Sequence, residues 1–220
     1  MSVERETPKI ACLPNGPYYL LVNMTPSAVP GLRRPNGEAC STVRGIALCR
    51  CGGSGNKPFC DGTHGTNGFN DRNTADGTRN RRASYVGKRI TIHDNRGICA
   101  HAGICTERLA SVFRMKQEPR VDPDGASAEE IIETVRQCPS GALGYSVEDV
   151  EYRGEAREPL VTVTDDGPYA ITGGIELVGV AFGEGACSEH YTLCRCGASK
   201  NKPFCDGSHW DAGFRDSVRR

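Results

Sequence analysis

Residues 194–210 read CRCGASKNKPFCDGSHW, a stretch that places three cysteines and one histidine within sixteen positions. Residues 49–64 read CRCGGSGNKPFCDGTH, so the same arrangement occurs 145 positions earlier. Cysteine and histidine at such close, repeated spacing are typical of a zinc site, a redox thiol site or an inorganic cluster. The interpretation of the whole chain starts from this repeated stretch.

The two copies extend beyond their cysteines. GPYYLLVN at 16–23 matches GPYAITGG at 167–174, and FCDGTHGTNGFND at 59–71 matches FCDGSHWDAGFRD at 204–216. In each copy, short strand-like runs alternate with Gly, Pro and Asn turns, which predicts a small β-rich unit with an irregular cysteine loop. The predicted strands are 18–22 and 46–50 in the first copy, and 169–172, 175–178 and 191–195 in the second.

The segment between the copies, residues 85–150, has a different pattern. It predicts a strand at 88–93, a short helix at 106–113 and a longer helix at 127–137. In the longer helix Ser127 and Glu130 can form a capping box, and the helix should end before Pro139. Its apolar stripe consists of Ile131, Ile132 and Val135. The segment is therefore predicted to be α+β.

Composition excludes several classes of function. Lysine plus arginine and aspartate plus glutamate number 27 each in 220 residues, so no overall field attracts nucleic acid or an anionic membrane. The charged N-terminus does not have the apolar run of a signal peptide, and no stretch is long enough for a membrane span. Twelve cysteines in such a chain indicate metal ligands or catalytic thiols rather than disulfides. We expect a cytoplasmic protein without nucleic-acid or membrane partners.

The spacing of the repeated motif favours one kind of site. Both copies follow C-x-C-x2-S-x3-P-x-C-D-G-(S/T)-H. The candidate ligands are Cys49, Cys51, Cys60 and His64 in the first copy and Cys194, Cys196, Cys205 and His209 in the second. C-x-C puts two thiolates on one extended segment, able to hold one iron, and a cysteine and histidine four positions apart can hold a second. Structural Cys3His zinc sites more often use C-x2–4-C and a separate second pair. A [2Fe-2S] cluster is favoured and zinc is the alternative.

The motif resembles the CDGSH iron-sulfur family, the mitoNEET-like proteins, at every defined position of both copies. This resemblance implies a [2Fe-2S] cluster held by three cysteines and one histidine, with the histidine on the outer iron. It also implies a NEET fold, in which two modules pair through a β-cap. Because one chain carries both modules, it is similar to the subclass that forms an intramolecular pseudo-dimer.

A single histidine ligand has physical consequences. Neutral imidazole in place of a thiolate removes one negative charge, so the cluster is reduced more easily than an all-cysteine centre. Imidazole also titrates near physiological pH, which can couple protons to electron transfer or release the bound iron. Lys57 and Lys202 lie within the loops, either as cations that raise the potential or as solvated charges. Asp61 and Asp206 are expected to act as helix N-caps.

Three further cysteines indicate a cluster in the middle segment. A bacterial-type ferredoxin uses C-x2-C-x2-C and a remote Cys-Pro. Cys99, Cys105 and Cys138 occupy the first, third and remote positions, and Ala102 stands at the second. The segment resembles the divergent mono-cluster ferredoxin domain, which implies a [3Fe-4S] cluster or a [4Fe-4S] cluster with a non-cysteine ligand. His101 is either that ligand or, as we favour, a hydrogen-bond donor to cluster sulfide. Incidental cysteines in a reduced domain are the alternative.

These observations predict an α+β protein of three domains. They are a first CDGSH module at 1–84, a ferredoxin-like single-cluster domain at 85–150 and a second CDGSH module at 151–220. The remaining cysteines, Cys12, Cys40 and Cys187, have no assigned ligand role. Cys40 and Cys187 are interpreted as small buried residues of the strand before each loop, with resolving thiols as the alternative.

The expected function is electron transfer rather than catalysis, since no nucleophile elbow, phosphate loop or dinucleotide fingerprint is found. The expected cofactors are two [2Fe-2S] clusters and one [3Fe-4S] or [4Fe-4S] cluster, and the expected state is a monomer. Expected partners are redox proteins: a flavoprotein reductase or an apo iron-sulfur acceptor. The alternatives are a cluster-transfer or iron-homeostasis protein, with His64 and His209 as points of release, and an electron-carrying subunit of a larger oxidoreductase.

Overall fold

The computed structural model describes residues 8–21, 31–40, 46–78 and 80–216. Within these ranges twelve short strands outnumber three short helices. The strands are β1 Lys9–Cys12, β2 Tyr18–Leu21, β3 Gly31–Arg33, β4 Ile46–Leu48, β5 Arg82–Val86, β6 Thr91–Asn95, β7 Leu143–Val147, β8 Val150–Tyr152, β9 Leu160–Val163, β10 Tyr169–Thr172, β11 Glu176–Val178 and β12 Tyr191–Leu193. The helices are α1 Ile104–Arg108, α2 Ala128–Arg136 and α3 Ser208–Asp211. This β-rich content with few helices agrees with the predicted α+β class.

Two four-stranded sheets contain strands from both copies of the repeat. One sheet has the order β11-β1-β2-β4, and the other has the order β12-β10-β9-β3. In the first sheet β11 runs parallel to β1, with Ile10 opposite Leu177. In the second sheet β3 runs parallel to β9, with Leu32 opposite Val161. Each copy thus contributes one strand to the sheet of the other.

The two sheets share one apolar core. Tyr18 and Leu20 of β2 and Tyr169 and Ile171 of β10 are fully buried, because alternate residues of each strand face inward. The rings of Tyr18 and Tyr169 meet edge to face, with centroids 6.0 Å apart. Burying one such large side chain contributes about 1.5–3 kcal/mol. The sequence repeat therefore folds into one body and not into two independent cores.

The middle segment forms a third sheet of antiparallel strands in the order β5-β6-β7-β8. Helix α2 packs against β7 and buries Ile131 and Val135. The predicted capping box is present: the hydroxyl of Ser127 accepts the Glu130 N–H, and the Glu130 carboxylate accepts the Ser127 N–H. Ile131 and Val135 belong to a second core cluster, separate from the core that the first two sheets share. Cys138 packs against both clusters.

Some predicted elements were displaced. The helix expected at 106–113 is wrong: α1 covers Ile104–Arg108 and ends where Leu109 leaves helical geometry, at φ −142°. Val112 and Phe113 are buried, as their apolar character suggested, but Val112 lies in a turn and Phe113 forms an antiparallel bridge with Val121. The strand expected at 88–93 begins at Thr91, because a turn closed by the Gly87 N–H and the Ile90 carbonyl precedes it.

The strands expected at 169–172, 175–178 and 191–195 correspond to β10, β11 and β12, and the strand expected at 46–50 corresponds to β4. The strand expected at 18–22 corresponds to β2, and its last position lies outside the described residues. Among the described residues, no helix has the length and apolar character to cross a membrane.

Candidate iron-sulfur sites

Each repeated cysteine loop begins where a strand ends. Strand β4 ends immediately before Cys49. The Cys49 N–H donates to the Pro58 carbonyl at 2.8 Å, and the Cys60 N–H donates to the Ala47 carbonyl at 2.9 Å. Strand β12 does the same in the second copy, with Cys194 N–H to the Pro203 carbonyl at 2.8 Å and Cys205 N–H to the Thr192 carbonyl at 3.0 Å. These paired bonds return the far end of each loop to the strand from which it starts, so the third cysteine lies close to the first.

Several hydrogen bonds within the loop occur at the same positions in both copies. The Ser54 hydroxyl donates to the Phe59 carbonyl at 2.6 Å, and Ser199 donates to the Phe204 carbonyl at 2.7 Å. The Lys57 ammonium donates to the Ser54 carbonyl at 2.7 Å, and the same bond is formed by Lys202 and Ser199 at 2.5 Å. The two lysine side chains therefore stabilise the loops by donating to backbone carbonyls, a role that sequence reasoning did not identify.

The aspartate of each motif ties two parts of its loop together. Asp61 accepts hydrogen bonds from the N–H groups of Gly55 and Thr63. These bonds hold the pKa of its carboxyl far below the usual value, with the side chain of Thr63 as the largest cause. The prediction that Asp61 is the N-cap is wrong by one residue, because the cap is Gly62 at φ 90° and the turn starts at Thr63.

Asp206 repeats this arrangement with Lys200 and Ser208. The cap here is Gly207, at φ 87°, and α3 begins at Ser208. Burial acts to raise the pKa of Asp206, but hydrogen bonds from Ser208 and Lys200 lower it overall. Both aspartates thus close their loops as carboxylates and leave the cap position to a glycine.

In each loop the structure pairs the donor atoms as the spacing suggested. The sulfur atoms of Cys49 and Cys51 lie 3.9 Å apart, and the Cys60 sulfur lies 3.3 Å from Nδ1 of His64. In the second loop the sulfur atoms of Cys194 and Cys196 lie 3.7 Å apart, and the Cys205 sulfur lies 3.5 Å from Nδ1 of His209. Both loops therefore present three sulfur atoms and one ring nitrogen.

This donor set fits an iron-sulfur cluster. Gly53 and Gly62 direct their N–H groups at the sulfur atoms of Cys51 and Cys60, at 3.4 and 3.5 Å. In the second loop Ala198 does the same for Cys196 at 3.4 Å. Such donors stabilise negative charge on sulfur. Burial raises the pKa of Cys49 to about 11, so an uncompensated thiolate is disfavoured there and a bound cation would displace the proton.

The two loops meet at a close backbone contact. Cys51 and Cys196 pair as an antiparallel bridge. Gly52 and Gly197 follow them at φ 76° and 78°, and a β-carbon on either glycine would lie 2.5–2.6 Å from the carbonyl oxygen of the opposite cysteine. Only glycine permits both this backbone conformation and this approach. The contact holds the two candidate sites next to each other.

Two buried tyrosines link the copies in a crossed manner. The Tyr18 hydroxyl, from the first copy, lies 2.9 Å from the Cys194 carbonyl and 3.0 Å from the Pro203 carbonyl. The Tyr169 hydroxyl, from the second copy, lies 2.9 Å from the carbonyls of both Cys49 and Pro58. Each copy therefore positions the cysteine loop of the other. Sequence reasoning placed these tyrosines on strands and did not foresee this role.

The loops differ in their exposure. Cys205, His209 and Asn201 are 2%, 4% and 5% exposed. Their counterparts in the first loop are open or half-buried: Cys60 and His64 are half-buried, and Asn56 is exposed. Burial is also the main cause that lowers the pKa of His209, followed by the charge of His101. The same ligand pattern thus lies in two different surroundings.

The three cysteines of the middle segment line one cavity of about 900 Å³. Burial raises the pKa of Cys99 to about 12, and the neighbouring Cys138 thiol adds to this shift. Burial is also the main cause that raises the pKa of Cys105, again with a contribution from Cys138. The Arg96 guanidinium donates to the Cys99 sulfur at 3.5 Å. Ala102 lines the same cavity and offers no donor side chain, so three thiols converge on a space that fits a cluster.

His101 lies between the central cavity and the second loop. It lines the cavity with Cys99, and a β-carbon on Gly207 would lie 2.6 Å from its Nδ1. Its backbone is left-handed, at φ 54°, and its carbonyl accepts a hydrogen bond from the Trp210 indole at 3.2 Å. Neither role predicted for His101, as a fourth ligand or a donor to sulfide, includes this contact with the second loop.

The second copy contains a further cysteine-histidine pair. The Cys187 sulfur lies 3.3 Å from Nδ1 of His190, which lies 3.0 Å from the Glu189 carboxylate. That carboxylate is already bound by the Arg157 guanidinium and the Gly173 N–H. The group therefore stabilises the loop before β12. Its signal in the sequence is the shorter spacing from Cys187 to Cys194 than from Cys40 to Cys49. Cys40 and Cys187 are both buried, but neither lies on a strand.

Comparison with known proteins finds a family for each of the three segments. The family described as iron-binding zinc finger, CDGSH type, matches residues 15–65 and 166–210. The family described as divergent 4Fe-4S mono-cluster matches residues 85–148. The uncharacterized protein YjdI of Escherichia coli strain K12 is 34% identical over 61 residues, which cover 28% of this chain and 80% of YjdI. The chain belongs to the CDGSH family.

The YjdI protein of Escherichia coli O157:H7 matches to the same extent, at 34% identity over 61 residues. No solved structure matches the chain. This CDGSH protein contains two CDGSH regions on either side of a 4Fe-4S mono-cluster region, and it is an iron-sulfur protein. The matched CDGSH regions include all eight ligands predicted for the repeated motif, and the central match includes Cys99, Cys105 and Cys138.

Proposed function

We propose that this CDGSH protein transfers electrons with two [2Fe-2S] clusters in the repeated loops and one [4Fe-4S] or [3Fe-4S] cluster in the central cavity. The observation that carries the proposal is that each loop brings its donors together in two close pairs, cysteine with cysteine and cysteine with histidine. Such clusters accept and release single electrons when bound. The protein would not itself be an enzyme, and its partners would be a flavoprotein reductase and iron-sulfur acceptors.

The residues of the loops would set how readily an electron is taken up. The N–H groups of Gly53 and Gly62 stabilise negative charge on sulfur, which favours the reduced state. His64 and His209 are neutral ligands where other centres carry a fourth thiolate, so less negative charge opposes reduction. Together these features favour a potential above that of an all-cysteine centre.

We also propose that the two CDGSH regions act as an intramolecular pseudo-dimer, with the ferredoxin-like region inserted between them. The exchange of β3 and β11 between the sheets supports this, as do the crossed hydrogen bonds of Tyr18 and Tyr169. Because both halves belong to one chain, we expect a monomer. Light scattering of the iron-loaded protein measures this directly.

The proposal is tested by replacing one histidine at a time. In anaerobically purified protein, His209→Cys should keep its cluster, lower the potential of the second site and leave that of the first unchanged. His64→Cys should act on the first site alone, so each variant is the control for the other. Potentials are measured by spectroscopic redox titration. An unchanged potential in both variants would exclude histidine ligation.

A second candidate function is the transfer of a cluster to an apo-protein. It is favoured by the half-buried position of His64 beside the exposed Asp61 and Gly62. Incubation of the loaded protein with an apo-ferredoxin separates the two functions. Rapid appearance of the acceptor spectrum, slowed in His64→Cys, supports transfer. Repeated reduction and oxidation without loss of absorbance supports electron transfer.

A further inference from the structure

The two CDGSH loops are equivalent in sequence but unequal in what covers them. The second loop is covered by the chain that leads into the middle segment and by the middle segment itself. Thr74 and Ala75 donate their N–H groups to the Lys200 carbonyl at 2.8 and 3.0 Å. Asn73 donates to Asn201 at 3.0 Å. Residues outside both copies of the motif therefore close over the second loop.

The middle segment contacts this loop at three points. The Asn201 amide donates to the Gly97 carbonyl at 2.8 Å, in a buried position. The Trp210 indole donates to the His101 carbonyl at 3.2 Å, and the indole lies next to the His209 ring, with centroids 5.1 Å apart. The His101 ring lies against Gly207. These contacts place the histidine ligand of the second site beside the rim of the central cavity.

The first loop has different surroundings at the same positions. Asn56, which corresponds to Asn201, is exposed. A β-carbon on Gly62 would meet no atom within 4 Å in the described part of the chain, whereas at Gly207 it would meet His101. Gly65 stands where the second loop has Trp210. Among the residues that the structure describes, the central cavity thus adjoins the second CDGSH loop through His101 and does not adjoin the first.

The contacts of the second loop also extend to the first loop. Cys51 and Cys196 connect the two CDGSH loops through their backbone bridge. The rim of the central cavity therefore contacts the second loop, and the second loop in turn contacts the first loop.

We infer that His101, Asn201 and Trp210 hold the second CDGSH site against the central site, so that these two sites exchange electrons within the chain while the first site faces an external redox protein. The inference rests on the proposed function. Each exchange moves one electron: one site is oxidised as the other is reduced, and no bond or proton changes place. An external flavoprotein or ferredoxin-type protein supplies or removes that electron.

Paramagnetic resonance of the fully reduced, iron-loaded protein tests the pairing. The variants His64→Cys and His209→Cys assign one signal to each CDGSH site. We expect the signal of the second site to be broadened, with faster relaxation, by the central site. Gly207→Ala should weaken this interaction because its methyl group displaces His101. Gly62→Ala is the matched control, since it introduces the same strain at φ 90° without a neighbour to displace.

Access to the two sites provides an independent readout. With an iron chelator, we expect the first site to lose iron about tenfold faster than the second, because local opening is not needed there. Trp210→Gly, which installs the residue of the first loop, should accelerate the slow phase, and Trp210→Phe should restore part of the protection through its ring. Gly65→Trp should leave the fast phase unchanged, because no counterpart of His101 lies beside it.

Should Gly207→Ala not fold, the His101→Asn variant replaces it, because asparagine tolerates the left-handed backbone at this position. Equal rates of iron loss at both sites, or coupling of the central site to the first loop, would overturn the inference. A preparation with stoichiometric zinc and no acid-labile sulfide would instead overturn the proposed function, so the two failures can be told apart.

Discussion

The first and second CDGSH loops have the same donors, the same internal hydrogen bonds and the same crossed tyrosine contacts, yet His64 is half-buried and His209 is 4% exposed. The difference arises outside the motif, from Gly97 and His101 of the middle segment. The motif therefore determines which side-chain atoms are offered as ligands, and residues outside the motif determine how far those atoms are exposed to solvent.

The largest effect is expected at the contact that both loops share. Gly52→Ala would place a methyl group 2.5 Å from the Cys196 carbonyl oxygen in a left-handed backbone. The free energy of unfolding should fall by about 3 kcal/mol or more, with loss of iron from both loops equally. Urea unfolding and iron analysis measure this. The control is Gly68→Ala, at φ 72° with open space, which should cost about 1–2 kcal/mol. An equal decrease in the free energy of unfolding for Gly52→Ala and Gly68→Ala would contradict a close contact between the two loops.

A pH-dependent effect is expected for the middle segment. Asp94 is 2% exposed, and burial raises the pKa of its carboxyl from 3.8 to about 6. Between about pH 4 and pH 6 the native state keeps a proton that the unfolded chain releases, so stability falls as the pH rises, by about 3 kcal/mol in total. Asp94→Asn removes this decrease.

The advantage of Asp94→Asn over the wild type should therefore grow between pH 5 and pH 7, as measured by urea unfolding at each pH. The exposed Asp149→Asn variant is the control. Because the middle segment covers the second loop, iron loss from that loop should follow the same pH trend. Parallel curves for wild type and Asp94→Asn would contradict the prediction.

The crossed tyrosines should act on the opposite copy. Tyr169→Phe removes the hydroxyl that lies 2.9 Å from the Cys49 and Pro58 carbonyls. The Pro58 carbonyl keeps the Cys49 N–H as donor, but the buried Cys49 carbonyl loses the hydroxyl, at a cost of about 1–3 kcal/mol. Iron should then be lost faster from the first loop, although the substitution lies in the second copy. Tyr18→Phe should affect the second loop, and each variant controls for the other. Faster loss from the loop of the same copy would contradict the crossed arrangement.

The smallest effect is expected for the asparagines at equivalent positions of the two loops. Asn201→Ala removes buried hydrogen bonds to Gly97 and Asn73 and should cost about 1–2 kcal/mol. Asn56→Ala, at the corresponding exposed position, should change the free energy of unfolding by less than about 0.5 kcal/mol. Thermal or urea unfolding measures both. Equal costs would mean that the two loops are equally covered.

Sequence reasoning was most successful where the controlling interactions are local. The capping box of Ser127 and Glu130 and the strand at 169–172 depend on neighbouring residues, and the structure contains both. The pairing of Cys49 with Cys51, and of Cys60 with His64, also follows from short spacing. Residues a few positions apart in the chain are held close together in space, so their sequence pattern predicts their contacts.

The features that were missed depend on distant parts of the chain. Strand β3 consists of three residues and is stabilised by β9 of the other copy, so its own sequence carries little signal. The helix expected at 106–113 is wrong because Val112 is buried from a turn and Phe113 from a bridge to Val121, and burial does not require helical periodicity. The coverage of the second loop depends on Gly97, 104 positions from Asn201. The exchange of Gly65 for Trp210 was the one visible sign of unequal surroundings.

Metal and acid-labile sulfide analysis, with paramagnetic resonance of oxidised and reduced samples, tests the assignment of iron-sulfur clusters most directly. Anaerobically purified protein should contain about seven or eight iron atoms per chain with matching sulfide. Reduction should produce two distinct signals from the CDGSH sites, of which only one interacts strongly with the central site. A colourless protein that contains only zinc, or one whose two CDGSH signals are identical, would contradict this description.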